Sequence, residues 1–565
     1  MKVFFRYTLT LLLFAVIFSS CGKKNEAGKM IPADALFVAQ VNTGSMSEKL
    51  SWNDIKQTSW FKKAYTDSAT GEWRKKILDS PSISGIDFEK GLIFFSKKAT
   101  SGNYYLVAEG IVKNEDQFAQ FNKNFDPSQA IQKQGDINLL TLKDKNVVGW
   151  KGNHFIYVMN AETTHSEMYS FNDSTKSGSI APANNSAELA AFCSKLFSLN
   201  ADSSLAKNEI FGDLISQKGD IHVWQNTEEI VKSQPSMGMM GMLKLDAFIK
   251  DNRSTYTINF ENGKINILQK AYVSKELTGV LKKYLDGKIN TDMIKSIPSQ
   301  NVVAVLSANF KPQGLVDLIK LTGADGIVNT YAQQVGFTLD DFAKAGNGEI
   351  LFALTDLKMT SDSFNYKDDL GNNLGAGKFN KPEFNYLFST GISDKASLQK
   401  LTSALQKLTS QMGTDSLLSY NMNDKIFVMS STPTFGKQYL AGGNNNYDFT
   451  EKISGHPIGL YIDFQKIFTQ LPSNIEGKNE TQSFVQQNMK TWKNFYLTGG
   501  DYNGSAFSST ADINMMNANT NSLKQLNSYL NEMYQIKESR RSQNTHLQKL
   551  DSLLTPPPID TVNAK

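Results

Sequence analysis

Ile297 to Phe310 reads IPSQNVVAVLSANF, and Ile31 to Asn42 reads IPADALFVAQVN. In both, an Ile-Pro pair precedes a run of β-branched and apolar residues, then Asn and a helix-like segment. Proline fits the first residue of a strand, where its missing N–H breaks no ladder, so each copy reads as a strand start. Further matches follow in the same order. Gly91–Phe95 parallels Glu349–Ala353, each after an Asp-Phe-x-Lys element, and Tyr105–Ile111 (YLVAEGI) parallels Tyr386–Ile392 (YLFSTGI). Asn153–Met159 parallels Asn423–Met429, and Ile221–Asn226 parallels Ile458–Asp463. Gly152-Asn153 and Asn423-Asp424 supply the hairpin turns. A helix closes each copy, with Leu277, Val280 and Tyr284 set against Leu523, Leu526 and Tyr529.

These matches predict two tandem related domains, residues 31–290 and 297–535, joined by a linker at 291–296. Each is far longer than a solenoid repeat of ~20–50 residues. Tight hairpins alternating with helices argue for an α+β fold, with an antiparallel or mixed sheet and helices packed on it. The aromatics Trp52, Trp60, Phe61 and Tyr65 read as cover for the sheet. Copy two swells between Asp356 and Glu383, a stretch rich in Asp, Asn and Gly that reads as a mobile surface hairpin. Its carboxylates lack the spacing of a calcium loop. Residues 536–565 turn polar and end in Pro556-Pro557-Pro558, which predicts a helix running into a disordered tail.

The N-terminus carries Lys2 and Arg6 ahead of an apolar run from Tyr7 to Phe18. That run is shorter than the ~20 residues of a spanning helix and has the shape of a secretory signal, residues 1–20. It ends in Phe18-Ser19-Ser20-Cys21-Gly22, which resembles a bacterial lipobox, and the resemblance makes Cys21 the lipid attachment site. Residues 21–30 read as a tether, and two or more acyl chains hold a protein stably on a membrane. The formal charge is +4, from 59 basic and 55 acidic residues, and falls to +2 without residues 1–20. So balanced a charge does not suggest a nucleic-acid binder, which normally shows a concentrated basic face. There are two cysteines. Cys193 lies in an apolar helical pattern, AELAAFCSKLF, and reads as a buried thiol rather than part of a disulfide framework.

Catalytic signatures are absent. His154, His165, His222, His456 and His546 are scattered. No nucleophile elbow, phosphate loop or dinucleotide fingerprint occurs. Ser59-x-x-Lys62 and Ser397-x-x-Lys400 lack the companion motifs of penicillin-interacting enzymes. His222 reads as facing the sheet surface. No catalytic residue, cofactor or metal ligand is assigned. Met237, Met239, Met240 and Met242 form a thioether-rich stretch without a nearby His or Cys to complete a copper site. They suit an adaptable apolar contact. With Trp224 and Tyr461, whose following loops occupy equivalent positions, they are the candidate binding residues. A groove at the domain boundary is the expected place.

The signal ending in Ser-Ser-Cys-Gly-Lys, followed closely by Ile31-Pro32-Ala33-Asp34-Ala35 and the Phe37–Val41 strand, resembles the Bacteroidota envelope lipoproteins called domain of unknown function 4836. The resemblance implies an exported lipoprotein and transfers no functional residues. In the same bacteria, Asp followed by Ser or Thr and a small or apolar residue resembles an O-glycosylation site, which selects Ser68, Ser174, Ser416, Ser552 and Thr561. The expectation is a non-catalytic binding module anchored through lipid in the outer membrane and facing the periplasm. Its partner is an envelope protein or an apolar ligand, with no nucleic acid. The alternatives are an envelope hydrolase with an unrecognised site between the repeats and a structural component of an envelope complex.

Overall fold

The computed structural model describes residues 26–66, 72–99, 102–142, 145–161, 185–233, 246–367, 373–411, 419–471 and 479–554. They form two compact units. The first draws on the described residues within 26–42, 80–218 and 222–233, the second on those within 43–79, 219–221 and 246–554. The fold is α+β, and every strand register is antiparallel.

In the first unit the strands are β1 (Phe37–Val41), β2 (Leu92–Lys98), β3 (Tyr104–Ile111), β4 (Gln132–Gln134), β5 (Ile137–Thr141), β6 (Val147–Lys151), β7 (His154–Ala161) and β8 (Ile221–Asn226). Their order across the sheet is β8-β1-β2-β3-β7-β6-β5-β4. Lys151 pairs with His154, so β6 and β7 are joined by the two-residue turn Gly152-Asn153. Gly152 has φ +58°, the left-handed conformation such a tight turn asks of its first central residue. On one face Val38, Phe95, Val107 and Val158 form a row in register. This row packs with Trp224 and with the helices Ser186–Phe197 and Glu209–Ser216. Both helices start on asparagine caps: Asn185 accepts from the Glu188 N–H at 2.7 Å and Asn208 from the Phe211 N–H at 2.9 Å. Cys193 is buried in this core. The helix lies so close to β6 that a Cβ on Gly149 would meet the Cys193 Sγ at 2.7 Å.

In the second unit the strands are β9 (Arg253–Glu261), β10 (Lys264–Tyr272), β11 (Val302–Asn309), β12 (Gly346–Lys367), β13 (Asn373–Ile392), β14 (Ser419–Met422), β15 (Ile426–Ser430), β16 (Ile458–Asp463), β17 (Trp492–Tyr502) and β18 (Phe507–Met515). Their order is β9-β10-β18-β17-β16-β11-β12-β13-β15-β14. The run β16-β11-β12-β13-β15 repeats the pairing sequence of β8-β1-β2-β3-β7. Its core row is Tyr461, Val305, Ala353 and Leu387. This places Leu387 where Val107 stands in the first unit. The matched strings YLVAEGI and YLFSTGI would instead set Leu387 against Leu106, yet Leu106 is 38% exposed and Leu387 0%. A one-residue offset turns a side chain to the other face of a strand. The letters match, but the faces do not.

Several segments differ from their expected form. The swollen stretch 356–383 is a hairpin as expected, but a long, regularly paired one: β12 runs to Lys367 and β13 resumes at Asn373, paired from Lys358↔Glu383 to Lys367↔Asn373. Cross-strand ion pairs Lys358–Glu383 at 3.2 Å and Lys381–Asp362 at 2.8 Å support this arm. The expected linker holds a helix, Thr291–Lys295, capped by Asn290, with Met293 and Ile294 buried in the second core. The units also divide the chain differently from 31–290 and 297–535. The hairpin β9–β10 joins the second unit because β10 pairs with β18 over eight positions. Residues 43–79 join it as well, through the Lys63–Glu538 ion pair and a bond from the Ser59 N–H to Asn531. Trp52 and Trp60 are partly exposed there, and Phe61 is the buried member of the aromatic set. The last helix, Ser522–Leu554, reaches into the expected tail.

Candidate functional site

Trp224 is fully buried, edge-on to Phe211 with centroids 6.4 Å apart. Tyr461 is 7% exposed, stacked 4.3 Å from Phe449 and tilted against Tyr496 at 5.2 Å. Both are core residues, not surface contacts, because alternation along β8 and β16 turns them inward with Val38 and Val305. His222, two residues from Trp224 on the same face, is also buried, contrary to the expected surface position. Met237, Met239, Met240 and Met242 lie outside the described residues, as do Cys21, Ser68, Ser174, Ser416 and Thr561. Ser552 falls on the last helix. Lys400 pairs with Asp341 at 2.7 Å, and the Ser397 N–H bonds to Asp394.

The first unit contains a cavity of about 590 Å³. It opens where the end of β2 and the start of β3 meet the helices Ser186–Phe197 and Thr227–Ser233. Its wall is an aromatic pair: Tyr105 stacks on Phe192 with centroids 4.1 Å apart and rings 17° from parallel. The Tyr105 hydroxyl donates to Glu188 Oε1 at 2.7 Å. Burial, and then the Glu188 carboxylate, push the Tyr105 hydroxyl well above the usual phenol range, so it stays protonated as a fixed donor. Around this wall stand charges of both signs. Lys97 is paired with Asp34, and Lys232 reaches Glu228 at 2.7 Å and Glu229 at 3.8 Å. Lys98 donates to the Ser233 carbonyl at 3.4 Å, and Lys195 is exposed on the helix. Ser233 is the last described residue before the methionine-bearing stretch.

This arrangement can hold a molecule with a flat or apolar part against Tyr105 and Phe192 and a charged part among the lysines. It is poorly set for proton transfer. The phenol is held protonated, and Asp34 and Glu229 have lysine partners. Sequence reasoning missed Phe192, Glu188 and Lys195. They come from a helix about 80 residues beyond Tyr105, and no local spacing announces their meeting.

Elsewhere in the first unit, Glu109 on β3 is 3% exposed, and its Oε2 has no hydrogen-bond partner. Its register neighbours are Ile93 and Ile156, and Ile93 also pairs with Gln40. Burial alone pushes its carboxyl up to about 8, so near neutral pH it is largely uncharged.

The second unit holds a different cavity, of about 280 Å³, on the face of β12, β13 and β15 that lies under the helix Lys395–Gln411. Its lining includes Phe342, Ile350, Phe388, Leu401, Leu405 and Phe427, and no charged side chain. Among the described residues no group of three His, Cys, Asp or Glu side chains could hold a metal ion. No helix among them is long and apolar enough to cross a membrane.

Fold and cavities together define an α+β protein on antiparallel sheets, with a polar recess in the first unit and an apolar one in the second. Residues 28–366 match the family described as Domain of unknown function (DUF4836), and the chain belongs to that family. The match runs from before β1 to the outer part of β12, so it takes in strands of both units. No curated protein and no solved structure matches the chain.

Proposed function

We propose that this chain is a lipid-anchored protein of the cell envelope of Bacteroidota that acts by binding rather than catalysis, and that the 590 Å³ cavity receives its ligand. The cavity carries the reading. Its volume falls within the ~300–1,000 Å³ of small-molecule sites, and it joins an aromatic wall to a few placed polar groups. Its carboxylates Asp34 and Glu229 are paired with Lys97 and Lys232, and Glu188 holds the Tyr105 hydroxyl, which suits recognition better than acid–base chemistry. Met237, Met239, Met240 and Met242 follow Ser233 in the chain and remain candidate contacts for an apolar part of the ligand.

The anchor is Cys21, placed by the lipobox-like sequence, and the protein faces the periplasm from the outer membrane. Ser68, Ser174, Ser416, Ser552 and Thr561 stay candidates for O-glycosylation. The shared pairing order of β8-β1-β2-β3-β7 and β16-β11-β12-β13-β15 supports descent of the two halves from one duplicated α+β domain.

The test is affinity purification from the native envelope, followed by mass spectrometry of proteins and small molecules. The wild-type chain should retain a species that Phe192→Ala and Lys195→Glu lose, with all three proteins melting alike. Equal capture by well-folded variants would remove the cavity from the binding site. Replacing the four methionines with serine tests their part separately.

A further inference from the structure

The apolar cavity of the second unit has a counterpart layer in the first, and the contrast is informative. In the first unit the helix Glu115–Lys123 covers the outer face of β2, β5, β6 and β7, and the space is filled by rings. Phe118 lies 5.6 Å from Trp150, 5.1 Å from Phe155 and 6.2 Å from Tyr157, centroid to centroid. In the second unit the helix Lys395–Gln411 covers the outer face of β12, β13 and β15, and the same layer encloses about 280 Å³ of space. Thr390 and Thr402 are the polar side chains of its lining; the rest is aliphatic, aromatic or thioether. A recess walled in this way offers water few of the two to four polar partners it needs and suits apolar molecules.

We infer that this cavity binds one unbranched apolar chain of about nine carbons, the acyl chain of a fatty acid or of a membrane lipid. The length follows from volume: a methylene takes about the room of a water molecule, roughly 30 Å³. The absence of charged lining excludes a ligand that buries its ionic group, so the head must stay at the opening. Leu315, 45% exposed, brings an apolar side chain from the lining to solvent. Lys311, between the lining residues Phe310 and Pro312 in the chain but outside the lining itself, is half exposed and pairs with Asp286 at 3.4 Å. This site is independent of the polar cavity, and neither reading depends on the other.

The experiment titrates residues 22–565 with saturated carboxylic acids of six to fourteen carbons by calorimetry, with flotation on phosphatidylcholine vesicles as a parallel arm. One site per chain is expected, tightening about fourfold per added methylene up to about nine carbons and levelling beyond. Leu405→Trp sets an indole in the recess, as Trp150 does in the first unit. It should weaken binding at least tenfold while melting no lower than wild type. Thr402→Leu narrows a second wall and serves if the tryptophan variant does not fold. Acids binding without flotation identify free fatty acids as the source, and flotation lost in Leu405→Trp identifies bilayer lipid. No saturable binding in either arm, binding indifferent to chain length, or undiminished binding by a folded cavity-filling variant would overturn the inference.

Discussion

Lys49 and Asp220, 171 residues apart, form a charge-assisted pair in the second unit, with the Lys49 Nζ 2.6 and 2.5 Å from the two carboxylate oxygens. Asp220 is 1% exposed and also accepts from the Ser45 hydroxyl and the Phe260 N–H, both at 2.6 Å. Burial alone would raise its pKa, but the bonds from Lys49, Ser45 and Phe260 outweigh it, and the carboxyl is held below its ordinary range. Asp220→Ala strands three donors, one of them charged, and should cost about 3–5 kcal/mol in denaturant unfolding. A depressed value means the stabilisation is present above the unfolded pKa and is lost as pH falls through the folded one. Wild type should therefore lose stability in acid more steeply than Asp220→Asn.

Glu109 has the opposite sign. Its carboxyl titrates near 8 in the fold against 4.5 ordinarily, so the native state keeps a proton that the unfolded chain releases. Its contribution is complete below about pH 4.5 and is lost as pH rises to about 8. Glu109→Gln should remove that slope, worth a few kcal/mol across the window, in urea titrations at stepped pH. An unchanged slope would show that the carboxyl does not titrate there.

Gly149→Ala should destabilise by about 1–3 kcal/mol, because the new methyl meets Cys193 Sγ at 2.7 Å and Leu139 Cδ2 at 3.0 Å. Burial pushes the Cys193 thiol up to about 12, so the wild-type thiol should resist alkylation until the chain unfolds. The glycine variant should label faster in native buffer.

Trp224→Ala and Tyr461→Ala should each cost about 3–5 kcal/mol, the range for deleting a large buried aromatic side chain. Any loss of ligand capture should follow the loss of folded protein, measured by circular dichroism on the same samples. Selective loss of capture at unchanged stability would return these residues to a binding role.

Cys21→Ala tests the proposed anchor. Wild type should fractionate with membranes and carry acyl mass on its N-terminal peptide, and the variant should keep residues 1–20. Wild-type protein found in the soluble fraction without acyl mass would dismiss the lipid.

Local signals were readable where one residue settles the geometry. Gly152-Asn153 marked a hairpin turn, and the apolar pattern around Cys193 marked a buried helix face. The pairing order was approachable too, since Ile-Pro and the apolar runs recur. What stayed hidden depends on facing and on partners distant in sequence. Likeness between YLVAEGI and YLFSTGI is blind to the side a residue takes, so Leu106 and Leu387 looked equivalent and are not. An aromatic on an alternating strand reads the same whether it meets core or ligand, so the equivalent loops after Trp224 and Tyr461 suggest a binding role for two residues that the fold buries. The arm beyond Asp356 is legible as a hairpin, but its turn-like Asn and Gly content hides how far the strands pair, and its cross-strand ion pairs appear only once the register is known. The polar cavity needed Tyr105 to meet Phe192, and a single sequence does not report that encounter.

The pairing of Lys264 with Asn514, 250 positions later, sets a timetable for biogenesis. A ribosome adding ~5–20 residues per second leaves β10 waiting roughly 10–50 s for its neighbour. Throughout that interval one edge of the β9–β10 hairpin is an open template for any other extended chain. The second unit is therefore completed late, when Phe507–Met515 arrives, and a nascent chain stalled before that point is the form most exposed to aggregation.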